Sequence, residues 1–251
     1  MITDYHAKYY AHELTKRCAA DSVEKLAGAL VDAQVDLNPH QVEAALFAFK
    51  SPLSSGAILA DEVGLGKTIE AGLVLSQKWA EGKRRIMLIM PSSLRKQWVQ
   101  ELQDKFFLPS IILEAKSYNT AIKQGRQPFE PEGQIIICSY QFAARHAEEI
   151  MITHWDLVVI DEAHHLRNVY KSGNKIGRAL RAALVNVPKV LLTATPLQNS
   201  LMELYGLVSF IDEYAFGDEK SFRAKYARLT SDIQFSDLKA RLKPLCLFGD
   251  N

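Results

Sequence analysis

Cysteine is scarce: Cys18, Cys138 and Cys246 are all that the 251 residues contain, and they lie too far apart for zinc-ligand pairs or an even disulfide framework. They read as isolated reduced thiols, the usual state in the cytosol. Charge of one sign is also lacking. With a formal net charge of +1 the chain has no overall field to attract a polyanion, so any nucleic-acid contact must come from a local arrangement. No apolar run approaches the length of a membrane span, and the start of the chain (Asp4, His6, Lys8) has no signal-peptide core. A cytoplasmic protein with no membrane partner is therefore expected. Internal repeats, low-complexity tracts and histidines at metal-ligand spacing are likewise missing. What remains is an ordinary globular composition, 48% apolar and 24% charged, in a chain long enough for one large α/β domain with appendages.

Against that plain background, Gly56-Ala57-Ile58-Leu59-Ala60-Asp61-Glu62-Val63-Gly64-Leu65-Gly66-Lys67-Thr68 organises the rest. Ala57 to Ala60 fit a buried strand, the glycines fit a tight turn, and Lys67-Thr68-Ile69-Glu70-Ala71 opens a helical pattern. The start of a helix presents unpaired N–H groups and the positive end of its dipole, which suits an incoming phosphate. Gly64 and Gly66 lack a β-carbon, so the backbone of Asp61–Thr68 can wrap closely around phosphate oxygens. Lys67 would reach the β- and γ-phosphates and Thr68 would ligate Mg²⁺. The usual phosphate-loop pattern begins with glycine, and Asp61 stands there instead; alone, the stretch reads equally as a glycine turn before an exposed lysine.

A second stretch decides between these. In Asp156-Leu157-Val158-Val159-Ile160-Asp161-Glu162-Ala163-His164, four apolar residues suited to a buried parallel strand end in adjacent carboxylates, at the strand end where α/β sheets hold ligands. Asp161 could hold Mg²⁺ and Glu162 could orient and deprotonate an attacking water. An acidic pair also commonly caps a helix; the Gly-Lys-Thr upstream favours the nucleotide reading, with ATP and Mg²⁺ as ligands.

Along the chain, helices are expected over 5–16, 21–35 and 41–49, the last entered through Asn38 and Pro39. After the loop come a helix ending near Gly82, a strand at 86–90, a helix over 93–106 and a strand near 111–114. Residues 116–134, rich in Gly and Pro, read as an exposed excursion. A strand at 135–138, a helix from about 140, the carboxylate strand, a helix over 174–185 and a strand at 190–192 follow. Such alternation predicts an α/β fold, a parallel sheet flanked by helices. From Leu197 the pattern turns helical, and residues 221–247 continue as charged helices. The division expected is a helical preface (1–36), a nucleotide-binding lobe (37–212) and a helical C-terminal extension (213–251).

Six stretches then stand in a familiar order: Leu37-Asn38-Pro39-His40-Gln41; Asp61 to Thr68; Pro91-Ser92-Ser93-Leu94 with Gln97-Trp98; Cys138-Ser139-Tyr140; Asp161-Glu162-Ala163-His164; and Thr193-Ala194-Thr195-Pro196-Leu197-Gln198-Asn199. With them the chain, from about 37 to 247, resembles the first RecA-like lobe of superfamily-two helicases, and within these the Swi/Snf-type DNA-translocating ATPases, particularly the bacterial RNA-polymerase-associated branch. Asp-Glu-x-Gly-Leu-Gly-Lys-Thr is the normal loop of that family, which accounts for Asp61.

The resemblance implies a RecA-like P-loop NTPase of the DEAH-box, helicase-like class, hydrolysing ATP and moving along duplex DNA with little regard for sequence. It implies that Gln41 reads the adenine edge, although a glutamine on a first helical turn is also an ordinary surface residue. Ser92, Ser93, Ser139 and Tyr140 would contact the tracked DNA strand, with Arg95 and Lys96 as electrostatic support; the serines serve equally as helix caps. Thr193 and Thr195 would link the nucleotide site to lobe movement with His164 as their hydrogen-bonding partner, or cap a helix ahead of Pro196. His165 reads as a packing or surface residue.

The family also implies a second RecA-like lobe, in cis or trans, bringing arginine fingers worth roughly 10³–10⁵ in rate, and RNA polymerase or another nucleic-acid-processing complex as partner. No second lobe is read in these residues, and Phe248-Gly249-Asp250-Asn251 stands where the family's arginine pair leads toward it. Two functions are thus expected: the ATP-binding half of a DNA-dependent ATPase, or a catalytically weak ATP- and DNA-binding module acting as a switch or scaffold. A small-substrate kinase leaves the DEAH stretch unexplained.

Overall fold

The computed structural model describes residues 22–30, 33–35, 37–50, 56–60, 66–130, 133–196, 200–226 and 232–248. The helix expected over 5–16 lies outside them. The strands are β1 (Gly56–Ala60), β2 (Ile86–Met90), β3 (Ser110–Ile112), β4 (Ile135–Ser139), β5 (Leu157–Ile160), β6 (Lys189–Leu192) and β7 (Cys246–Phe248). They form one 7-stranded sheet in the order β3-β4-β2-β5-β6-β1-β7, with every pairing parallel.

The helices are α1 (Val23–Ala29), α2 (Pro39–Lys50), α3 (Lys67–Ala80), α4 (Arg95–Phe106), α5 (Ala115–Lys123), α6 (Tyr140–Arg145), α7 (Ala147–Ile152), α8 (Lys175–Ala183), α9 (Leu201–Ile211), α10 (Glu219–Tyr226) and α11 (Asp232–Leu242). The central strands read as unbroken apolar runs because both of their faces are covered. Side chains alternate between the faces. Ile58, Met87, Ile89, Val158, Ile160 and Leu191 join the layer formed by α6 to α11, with Phe142, Leu180, Leu207 and Phe222. Leu59, Ile86, Leu88, Val159 and Leu192 join the layer of α1 to α4, with Leu26, Ala71, Leu75 and Trp98. This is the three-layer arrangement expected from alternating strands and helices.

Several local expectations are corrected. The first described helix stops at Ala29, not 35, because the chain turns: Gln34 N–H bonds the Lys105 carbonyl at 2.8 Å. The stretch 116–134 is not all excursion, since α5 begins it. Glu114 and Ser117 form a reciprocal cap there, the Ser117 side chain accepting from Glu114 N–H at 2.9 Å. The helix from 140 breaks into α6 and α7 at His146. The final segment is not helical to 247: α11 ends at Leu242, Pro244 follows, and Cys246–Phe248 joins the sheet beside β1, with Ile58 opposite Cys246.

Candidate active site

The carboxyl ends of β5, β6 and β1 lie side by side, so the segments leaving them share one edge of the sheet. Gly66 begins α3 with φ 94°, the left-handed region open to glycine. Its carbonyl accepts from Ile69 N–H at 2.7 Å and Glu70 N–H at 3.1 Å. A β-carbon here would fall 2.3 Å from Gln41 Nε2, so the absence of a side chain lets the Gln41 amide lie against Gly66. Gln41 is only 4% exposed, and its Oε1 accepts from Asn38 N–H at 3.2 Å. The structure thus gives Gln41 a buried place beside the loop, not a place on the surface. Lys67 and Thr68 occupy the first turn of α3. Asp61, Glu62, Val63, Gly64 and Leu65 lie outside the described residues.

Asp161 follows β5 and is 8% exposed. Its Oδ2 accepts from the Trp98 indole N–H at 2.9 Å and its Oδ1 from Glu162 N–H at 2.8 Å. Burial raises its pKa above the usual carboxylate value; the Trp98 and Glu162 N–H bonds oppose that, the Glu162 charge adds to it, and the Lys67 charge lowers it. Lys67 and Asp161 are therefore electrostatic neighbours across the edge. Glu162 has φ 51° and ψ 46°, a left-handed conformation costing a non-glycine residue about 1–3 kcal/mol. The Tyr140 hydroxyl donates to the carbonyls on both sides of that residue's N–Cα link, Asp161 O at 2.8 Å and Glu162 O at 3.2 Å.

Thr193, fully buried at the end of β6, donates its N–H to the Leu59 carbonyl of β1 at 3.1 Å and accepts from Thr195 N–H through Oγ1 at 3.2 Å. This ties the segment after β6 to β1, the strand that precedes α3 in the chain. His164, expected to partner these threonines, has Nδ1 3.0 Å from Glu162 Oε2. Burial, helped by the neighbouring His164, lowers the His165 pKa, and the two imidazoles stand 4.4 Å apart. Leu197, Gln198 and Asn199 are outside the described residues.

The residues expected to meet nucleic acid divide into two groups. Ser92, Ser93 and Lys96 are exposed in the turn after β2 and at the start of α4, and Arg95 reaches back to the Ser92 carbonyl at 3.2 Å and across to Glu114. Ser139 and Tyr140 are buried, at 8% and 4% exposure. Ser139 Oγ caps α6 by accepting from Phe142 N–H at 3.2 Å, and the Tyr140 hydroxyl turns to the backbone of the Asp161–Glu162 turn.

The motif that contains Trp98 assigns no task to its indole, yet the structure gives it one on Asp161. The signal was available: a buried indole N–H needs an acceptor, and a buried carboxylate needs donors. A further tie missed in the sequence joins Arg167 to Glu203 of α9, Nη1 to Oε2 at 3.7 Å.

The SNF2-related domain model matches residues 14–248. An uncharacterized ATP-dependent helicase of Bacillus subtilis, YqhH, is 35% identical over 225 residues, which are 88% of this chain and 38% of that protein. The RNA polymerase-associated protein RapA of Pectobacterium atrosepticum is 36% identical over 203 residues, 79% of this chain and 21% of that protein. The chain therefore spans well under half the length of these relatives. Among solved structures, the Sulfolobus solfataricus SWI2/SNF2 ATPase core in complex with dsDNA superposes with a TM-score of 0.72 at 24% identity, covering 87% of this chain and 45% of the other. The corresponding core domain alone gives 0.70 at 23%, covering 93% and 47%. At that identity the likeness concerns the fold.

Proposed function

The chain belongs to the SNF2-related domain family, and from that premise we propose that it binds ATP with Mg²⁺ and hydrolyses it as the nucleotide-binding lobe of a translocase on duplex DNA. The observation that carries the proposal is the convergence at one sheet edge of the Gly66–Lys67 helix start, the buried Gln41 amide and the Asp161–Glu162 turn.

The donor set fits a hard cation. A carboxylate has about four acceptor positions, and two donors engage Asp161, so oxygen lone pairs remain for Mg²⁺, which Thr68 and Asp161 would hold. The ion supplies charge neutralisation on the phosphate oxygens. Lys67 adds a second positive charge on the β- and γ-phosphates, and the N–H groups at the start of α3 complete the cradle. Glu162 orients a water in line with the γ-phosphorus and takes its proton as the new P–O bond forms. The bond to the β–γ bridging oxygen breaks, leaving ADP and phosphate. Gln41 would pair with the adenine edge, its amide both donating and accepting.

For nucleic acid, the exposed Ser92, Ser93 and Lys96 support backbone contacts without sequence preference, and binding should weaken steeply with salt. His164, Thr193 and Thr195 would carry the state of the nucleotide to lobe movement. A second RecA-like lobe, in cis or trans, would close over the nucleotide. RNA polymerase or another nucleic-acid-processing complex is the proposed partner of the whole protein, in the cytoplasm. Phosphate release, measured with and without duplex DNA against Glu162→Gln as the blank, tests this function. Release that exceeds the blank and rises with DNA supports it; release undiminished in Glu162→Gln contradicts the role given to that carboxylate.

A further inference from the structure

Two observations around Glu162 belong together. It is one of only two non-glycine residues with positive φ among those described, the other being Phe107. Such a conformation persists where neighbours over-determine it. The long-range hydrogen bond on this turn's backbone comes from Tyr140, twenty-odd residues earlier in the chain, whose hydroxyl forks between the Asp161 carbonyl at 2.8 Å and the Glu162 carbonyl at 3.2 Å.

We propose that Tyr140 is a positioning residue for hydrolysis, holding the Asp161–Glu162 turn in its left-handed form so that the Glu162 carboxylate faces the attacking water. This rests on the ATPase reading above and replaces, for Tyr140, the nucleic-acid contact expected from the sequence. At 4% exposure its side chain has little surface to offer a DNA strand. The Asp161 carboxylate keeps a donor outside the turn, the Trp98 indole N–H, while the Tyr140 hydroxyl bonds only the backbone carbonyls of the turn. The ring packs in the same apolar layer as Phe142, Ala163 and Leu166, and Tyr140→Phe keeps that packing while removing only the donor.

The geometry makes a split prediction: the affinity for ATP and Mg²⁺ is unchanged in Tyr140→Phe, while cleavage of bound ATP falls about 10- to 100-fold, the scale of a misplaced reacting group. A purely structural tyrosine would lower both together or neither. The experiment measures, for the wild type and Tyr140→Phe, the ATP dissociation constant, single-turnover cleavage of γ-labelled ATP and a crystal structure of each. Lys67→Ala serves as the binding control and Glu162→Gln as the cleavage blank. Expected are equal dissociation constants, slowed cleavage, and a Glu162 that leaves the left-handed region in the variant. An unaltered Glu162 backbone in Tyr140→Phe overturns the inference whether or not turnover is measurable, as does an equal cleavage rate. Wild-type protein that fails to bind ATP overturns the ATPase reading instead, and the Glu162 angle still decides the role of Tyr140 in the turn.

Discussion

Lys189 opens β6 and is 1% exposed, its Nζ without a hydrogen-bond partner among the described residues. Burial lowers its pKa from 10.5 to about 8, with Asp212 pulling modestly the other way. The unfolded chain therefore binds more protons than the folded one between about pH 8 and 10.5, and stability contributed by this group rises with pH through that window. Below pH 8 the fold carries the whole deficit, which for this gap is about 3 kcal/mol. Lys189→Met removes the charge and keeps a similar shape, at a packing cost of about 1 kcal/mol or less. The variant should be more stable than the wild type at pH 7 by about 2–3 kcal/mol, or several degrees in Tm at about 2–4 °C per kcal/mol for a chain of this size. Urea unfolding of both proteins between pH 7 and 10.5 measures it. Cys138, whose thiol burial pushes up to about 12, holds its proton in the fold while the unfolded thiol loses it above pH 9, so both proteins lose stability there. That term cancels in the difference, which should shrink toward zero by pH 10.5. A difference independent of pH, or a variant less stable at pH 7, would refute the reasoning.

Other substitutions probe the site and its supports. Trp98→Phe removes the donor on Asp161 Oδ2; a bond to a buried charge is worth about 1.5–3 kcal/mol, so Mg²⁺ dependence of ATP binding should weaken about 10- to 100-fold in a metal titration. A β-carbon at Gly206 would meet the Arg167 carbonyl oxygen at 2.0 Å. Gly206→Ala must therefore push α9 away from the segment after Glu162, lowering stability by about 1–3 kcal/mol in denaturant unfolding. Loss of stability no greater than that of Gly28→Ala in α1, where a β-carbon would meet nothing within 4 Å, would count against this contact.

The parts of the fold legible in the sequence were those with continuous burial. β1, β2, β4, β5 and β6 are apolar runs because helices cover both faces, and the candidate site sits where those runs stop. Less visible were elements decided by distant contacts. β7 is three residues after Pro244 and takes its meaning from pairing with Ile58, which no local pattern reveals. α5 buries none of its residues fully, and its stripe of Ala115, Tyr118, Ala121 and Ile122 stands next to the Gly and Pro residues that made 116–134 read as an excursion. In the candidate site, spacing and residue type singled out Lys67, Asp161 and Glu162, and the structure brings Lys67 within electrostatic reach of Asp161. The Trp98 bond to Asp161 spans residues far apart in sequence, and the left-handed turn at Glu162 is a backbone state that a glutamate does not announce. Tyr140 was legible as the residue after β4, but the bonds of its hydroxyl to the Asp161 and Glu162 carbonyls join residues far apart in sequence.

The most direct test of the central claim is a titration of ATP, with Mg²⁺ and with the metal chelated, into the wild type and Lys67→Ala. Saturable binding that needs Mg²⁺ and is lost in Lys67→Ala is the result predicted by a phosphate cradle at the start of α3. Equal affinity in the two proteins would contradict the assigned site.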